Sequence, residues 1–259
     1  MSKKGISQLF DVSNKVILIT GGAGAIGSSI AKGFAKLGAK LIFTDFNLPE
    51  AQNIAHKMKI PATQIIVEHL DVRDQTQVQN VVKKSISHFN RIDILFNNAG
   101  INPRIKAVDI KKEIWEEVIN INLSGMFFMA QEVAKQTMIP NLDGKIINTS
   151  SLQGMKGAKG AAAYASSKGG IITLTKVLAN EWGKFNINVN SIAPSNLDTP
   201  MTARVYSEKG SKEKASKKTP LQRLGIPDDL IGTVLYLSSP ASNYVTGQTI
   251  IIDGGKSVS

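Results

Sequence analysis

The sequence predicts an α/β fold: a single Rossmann-type, doubly wound parallel sheet of about seven strands with helices on both faces. Three observations carry that expectation. Seven short, β-branched apolar runs recur along the chain, and segments with helical spacing of apolar residues separate them. The runs are rich in Ile and Val on both faces, as strands covered on both sides require. The first run ends in a glycine-rich turn that leads straight into a helical segment.

The first run is Val16–Thr20, followed by the helical spacing of Ile26 to Leu37. The second, Lys40–Thr44, ends at Asp45. The third, Gln64–Val67, precedes the helical segment Val78 to Phe89. The fourth, Ile92–Phe96, runs into Asn97-Asn98-Ala99-Gly100, and the fifth, Lys145–Thr149, into Ser150-Ser151. A helical segment then carries Tyr164 and Lys168 and continues through Ile171 to Trp182. Ile187–Ile192 and Thr249–Ile252 complete the set. No fixed-period repeat and no Pro/Gly/Ser linker divides the chain, so residues 1–259 read as one domain. The polar, basic stretch Arg204–Lys218 is rich in helix formers and reads as a mobile helical substrate flap at about 200–218.

At 259 residues and 42% hydrophobic, the chain can bury a large core. It has no Cys, which excludes a disulfide scaffold, a thiolate metal site and a Cys nucleophile. His56, His69 and His88 lack ligand spacing, so no metal is expected. The start, MSKKGISQLFDVSNK, has no apolar core of a signal peptide. No apolar run approaches the roughly 18 residues needed to span a bilayer. The expectation is a cytoplasmic protein without a membrane partner.

Lys and Arg number 31 against 20 Asp and Glu, a net charge of +11. Residues 102–112, 152–163 and 204–218 carry +9 of it, and each follows a strand at the edge where a substrate enters. A positive rim there attracts a small anionic substrate. Lysines that merely solvate exposed loops give the same count. Few aromatics interleave with the lysines, which leaves nucleic-acid binding unsupported.

In the turn Thr20-Gly21-Gly22-Ala23-Gly24-Ala25-Ile26-Gly27, glycines allow a sharp bend and close approach of a pyrophosphate. The helix that follows offers free N–H groups and its positive dipole end. Gly21, Gly24, Ala25, Ile26 and Gly27 are the candidate phosphate contacts. Asp45, at the end of the second strand, can accept both hydroxyls of an adenosine ribose and would repel a 2′-phosphate. Phe46-Asn47 follow it where a phosphate-binding Arg could have been. NAD(H) is therefore expected, with NADP less favoured; Asp45 could instead simply open a turn.

Tyr164 and Lys168 are four residues apart, hence on one helix face. A cation beside a phenol lowers its pKa from near 10 by about 1–3 units, enough to let it exchange a proton near neutral pH. Ser151 lies 13 residues before Tyr164, and Asn122 sits in Asn120-Ile121-Asn122-Leu123-Ser124-Gly125. With Asn97-Asn98-Ala99-Gly100 and the glycine turn, these motifs make the chain, from about Phe10 to Gly255, resemble the short-chain dehydrogenase/reductase family. The resemblance implies that Tyr164 is the acid/base and that Lys168 lowers its pKa and holds the nicotinamide ribose. It further implies that Ser151 polarises the substrate carbonyl and that Asn122 holds a water linking Lys168 to solvent. Asp71 and Val72 would meet the adenine, Asn98, Ala99 and Gly100 would line the cofactor, and Leu197 and Thr199 would contact the carboxamide. Two positions depart from the family pattern. Ala25 replaces its middle glycine, and Ser195 follows Pro194 where glycine is usual.

Arg104 is the best single candidate for a substrate carboxylate, because a guanidinium grips one bidentately. Gln153 joins Ser151, Tyr164 and Arg104 as substrate-facing. Stretches such as Leu178-Ala179-Asn180-Glu181-Trp182 are similar to gluconate 5-dehydrogenase and 2-deoxy-gluconate 3-dehydrogenase members. That likeness favours oxidoreduction of a sugar acid or uronate-derived keto sugar. The alternative is a 3-oxoacyl-(acyl-carrier-protein) reductase, whose acidic carrier would meet the basic rim. A nicotinamide sensor without turnover is the non-enzymatic reading. Family members form homodimers or homotetramers, for which Met126–Met129 and Thr249–Ile252 could serve, or equally pack in the core.

Overall fold

The computed structural model describes residues 5–203, 206, 208 and 210–259. Its strands are β1 Val16–Thr20, β2 Lys40–Asp45, β3 Ile65–His69, β4 Ile94–Asn97, β5 Gly144–Thr149, β6 Ile187–Pro194 and β7 Thr249–Ile252. They form one seven-stranded sheet in the order β3-β2-β1-β4-β5-β6-β7, and every pairing is parallel. The chain winds outward from β1 in one direction and then returns to start the other half at β4. A crevice opens where the direction reverses, at the carboxyl ends of β1 and β4.

Strand periodicity sets the two cores. Val16 and Leu18 of β1, with Ile42, Leu95, Ile146 and Val189, bury one face under the helices Gln75–Phe89, Gly125–Val133 and Ala162–Trp182. Ile17 and Ile19, with Leu41, Phe43, Ile94, Phe96 and Ile192, bury the other under Ala25–Lys36, Leu48–Met58 and Ile231–Ser238. Met126 and Met129 are core residues, whereas Phe127 and Phe128 are only half-buried.

The strand boundaries differ from the sequence expectation where side chains compete with the ladder. The fourth strand starts at Ile94 rather than Ile92, because the Ile92 N–H donates to the Thr137 hydroxyl at 3.3 Å. Gln64 closes a short 3₁₀ turn, so β3 begins one residue later. The sixth strand continues to Pro194 because Ala193 and Pro194 still face Ile251 and Ile252 of β7.

Of the flap, the structure describes short helices at Pro200–Ala203 and Ser211–Lys217. Arg204, Val205, Ser207 and Lys209 lie outside the described residues. Among the described residues no helix is long and apolar enough to cross a membrane, and no group of three or more His, Asp or Glu gathers as metal ligands.

Gly232, in the helix Ile231–Ser238, has no heavy atom within 4 Å of where a Cβ would sit. Gly232→Ala is expected to stabilise by about 0.5–1 kcal/mol through lost unfolded-state freedom, raising Tm by about 1–4 °C. A lower melting temperature would contradict the open surroundings of this position.

Candidate active site

The crevice at the sheet reversal is built by short-range bonding between two strand ends. The Thr20 hydroxyl accepts from the N–H groups of Asn98 and Ala99, at 3.0 and 3.1 Å, and Asn98 Nδ2 donates to Gly21 O at 3.1 Å. Gly21 has φ +65°, and a Cβ there would lie 2.9 Å from Ala99 Cα. A Cβ on Gly27 would lie 2.3 Å from Gly21 O, so only glycine lets the turn close over the helix start. Ala25 is the first residue of the helix and has no positive φ, so its methyl group introduces no backbone strain. No side chain caps this helix at Gly24, which leaves its first-turn N–H groups free for an anion.

Asp45 stands over the same turn. Its Oδ2 accepts from Ala23 N at 2.9 Å and its Oδ1 from Asn47 N at 2.8 Å. The turn reading and the ligand reading of this carboxylate therefore coexist, since each oxygen keeps acceptor capacity. Phe46 is 64% exposed beside it, within 5.7 Å of the His69 ring. These features fit the adenosine end of a dinucleotide: a glycine cradle, an uncapped helix start and a carboxylate at the neighbouring strand end.

At the expected adenine contact, sequence reasoning missed Arg73. Its guanidinium grips Asp71 through Nε and NH2, at 2.9 and 2.6 Å, and holds that carboxyl below its ordinary pKa. Val72 is buried, with its side chain and carbonyl against Gly125.

Ser151 lies two residues past the end of β5, and its hydroxyl interacts with Tyr164, which shares the helix Ala162–Trp182 with Lys168. Lys168 Nζ lies 5.6 Å from the Tyr164 ring centroid and donates to Thr149 O at 2.6 Å. Burial alone pulls its pKa down to about 7. Burial pushes the Tyr164 phenol up, opposed by the Ser151 hydroxyl and by the Arg104 guanidinium. Lys168 Nζ thus lies near the Tyr164 ring while bonding the Thr149 carbonyl, and Arg104 adds a further positive charge that lowers the phenol pKa.

Asn122 lies in a π-helical turn, Asn120–Ser124, and is fully buried. Its carboxamide accepts from Ile101 N at 2.8 Å, and its Nδ2 donates to Ile101 O at 3.0 Å and Ser167 Oγ at 3.1 Å. A Cβ on Gly100 would stand 3.2 Å from Asn122 Oδ1 and 3.5 Å from Lys168 Nζ, so these three residues converge. Leu197 is buried, and Thr199 is tied to Thr202, its N–H donating to that hydroxyl at 3.1 Å. Ser195 has no positive φ; the left-handed residue of that loop is Asn196, at φ 49°.

A cleft of about 410 Å³ adjoins this group, and its lining includes Arg104, Gln153, Asn196, Tyr206, Lys218 and Lys256. Ser151, Tyr164 and Lys168 do not themselves line it; of its lining residues, Gln153 donates its N–H to Ser151 Oγ at 3.2 Å, and the charge of Arg104 lowers the Tyr164 pKa. Arg104 has φ 52°, a left-handed backbone that costs a non-glycine residue about 1–2 kcal/mol. Such strain persists where surrounding structure enforces it, characteristically at functional sites. Lys106, Lys111, Lys112 and Lys159, counted in the positive rim, are exposed and do not line the cleft. Lys256 does, and sequence reasoning missed it together with Asn196 and Tyr206. The position after the last strand was the one available signal, because all strand ends meet at this edge.

Comparison with known proteins agrees with this architecture. A family model described as enoyl-(acyl carrier protein) reductase matches residues 21–257. The 2-dehydro-3-deoxy-D-gluconate 5-dehydrogenase of Dickeya dadantii is 35% identical over 250 residues, covering 96% of this chain and 98% of that protein. The 3-oxoacyl-(acyl-carrier-protein) reductase FabG of Thermotoga maritima is 40% identical over 244 residues, covering 94% and 98%. A solved gluconate 5-dehydrogenase from Burkholderia cenocepacia, in complex with NADP and tartrate, superposes with a TM-score of 0.92. It is 32% identical, and the match covers 97% of this chain and 98% of that one.

Proposed function

The chain belongs to the short-chain dehydrogenase/reductase family, oxidoreductases acting on CH–OH groups, and from that premise we propose NAD(H)-linked interconversion of a secondary alcohol and a ketone on a sugar acid or uronate-derived keto sugar. The observation that carries the substrate class is Arg104, which has a left-handed backbone, lines a cleft with three lysines and exerts its charge on Tyr164. A guanidinium so placed can hold a carboxylate while the reacting carbon lies at the phenol. Relatives named for gluconate and ketogluconate chemistry, and a neighbour crystallised with tartrate, support an anionic polyol.

Tyr164 takes the hydroxyl proton during oxidation and returns it during reduction. Ser151 donates to the substrate oxygen and orients it against the phenol. Lys168, buried and easily deprotonated, passes the proton on toward Asn122 and solvent. A bound nicotinamide supplies the hydride exchange. The glycine turn and Asp45 would hold its adenosine end.

The proposed preference for NAD(H) rests on Asp45, whose carboxylate accepts from Ala23 N beside the glycine turn and would repel the negative charge of a ribose 2′-phosphate bound there. Because a relative is crystallised with NADP, the test is a panel of hexonates, keto-hexonates and acetoacetyl thioesters run with both cofactors in parallel. Wild type should favour NADH, and Asp45→Ser should shift the NADH/NADPH ratio of kcat/KM by about 10- to 100-fold toward NADPH, the loss of one or two charge-assisted hydrogen bonds. An unshifted ratio would remove Asp45 from cofactor choice. The second reading, a ketoacyl thioester reductase, draws on the 40% identity to FabG. It would be established by thioesters outpacing keto sugar acids.

A further inference from the structure

The cleft holds more positive charge than one carboxylate neutralises. Arg104, Lys214, Lys218 and Lys256 all line it, and among the described residues no Asp or Glu does. None of the four forms an ion pair among the described residues. Like charges gathered without counter-charge repel one another, so this arrangement costs stability unless an anion enters.

The lining also carries an organised donor set. Lys256 Nζ donates to Asn196 Oδ1 at 2.8 Å, which fixes the amide and leaves Asn196 Nδ2 buried without an acceptor. The Gln153 Oε1 is likewise buried and unpartnered on the same cleft. Buried amides lacking partners are costly, and a ligand oxygen and hydroxyl would complete both. Lys256 is half-buried and feels the positive charges of Lys218, Lys156 and Arg104, with only Asp253 opposing them.

Taking the sugar-acid reading as its base, we propose that the substrate carries a second anionic group, a phosphate ester or a second carboxylate. In this arrangement Arg104 holds the group nearer the reacting carbon, and Lys218, Lys256 and Asn196 Nδ2 hold the distal one.

The test compares three substrates on one carbon skeleton: a hexonate, its 6-phosphate and the corresponding aldarate, each oxidised by the full-length enzyme. At low salt one doubly charged compound should exceed the hexonate in kcat/KM by about tenfold or more, the worth of one charge-assisted hydrogen bond. The gain should sit in KM and shrink as salt rises. Which compound gains tells phosphate from carboxylate. In the double variant Lys218→Met/Lys256→Met that ratio should collapse toward one, whereas Lys218→Arg/Lys256→Arg should retain it. A hexonate that turns over at least as well as both doubly charged compounds overturns the second anion and leaves the sugar-acid reading standing. The same holds if the Met variant keeps the ratio. If all three are inert while acetoacetyl thioester is reduced, the sugar-acid reading itself falls, and this inference with it.

Discussion

Tyr164→Phe is expected to lower kcat by roughly 10²–10⁴-fold, the usual contribution of a positioned general acid or base. The phenol is the group toward which Ser151 and Arg104 direct their influence, and the ring keeps its packing when only the hydroxyl goes. The fold should survive, with stability changed by no more than about 1 kcal/mol, because only one hydroxyl is removed from a half-buried ring. The pH profile separates loss of chemistry from loss of structure. In the alcohol-oxidising direction the base form is the phenolate, so the wild-type rate rises with pH. In the reducing direction the proton donor is the phenol, and the rate falls as pH rises. Both limbs should vanish from the residual activity of the variant. A Tyr164→Phe enzyme retaining more than a tenth of the wild-type kcat with the same pH limbs would transfer the proton chemistry to another group.

Why much of this was legible in the sequence, and some was not, follows from the range of the forces involved. The seven strands come from β-branched runs whose residues are buried on both faces, a local pattern that survives packing, whereas their order in the sheet is set by tertiary pairing. The glycine turn is equally local: Gly21 needs its positive φ and Gly27 its missing Cβ within one turn of chain. Tyr164 and Lys168 share a face because helical geometry demands it. What their local spacing does not contain is the direction of the Lys168 ammonium, which is set by the Thr149 carbonyl on the neighbouring strand. Arg104 was picked for its chemistry, yet nothing in Asn102-Pro103-Arg104 announces a left-handed arginine. The π turn at Asn120–Ser124 is similarly silent, since its residues favour an ordinary helix as well. Lys256 was missed because it becomes a cleft residue only when β7 has docked beside β6 and brought the chain end back beside Asn196.

Gly154→Ala should show how tightly the candidate site depends on one backbone contact. Gly154 begins the chain's return from Ser151, in the helix Gln153–Lys156, and crosses the helix Ala162–Trp182 beside Lys168. A Cβ there would meet the Lys168 carbonyl carbon at 2.5 Å, Gly169 N at 2.7 Å and Lys168 O at 2.8 Å. All three are backbone atoms, so no side-chain rotation relieves the clash and one helix must move. Overpacking of this kind costs about 1–3 kcal/mol, or roughly 2–10 °C in Tm for a chain of this size. The loss of activity should be larger than the loss of stability suggests. Ser151 is coupled to one side of the contact through the Gln153 N–H, and Lys168 is on the other side. A shift of about 1 Å between groups that act together can cost on the order of 10²-fold. Gly157→Ala provides the comparison. It lies in the same segment at φ +70° but has no atom within 4 Å of the added carbon, so it bears backbone strain without displacing a helix. With ψ 172° this is an almost exclusively glycine conformation, so the variant should lose stability by about 1–3 kcal/mol from that strain and keep kcat within severalfold. If Gly154→Ala melted and turned over like wild type, the packing of these two helices could not be what holds Ser151 and Lys168 in register.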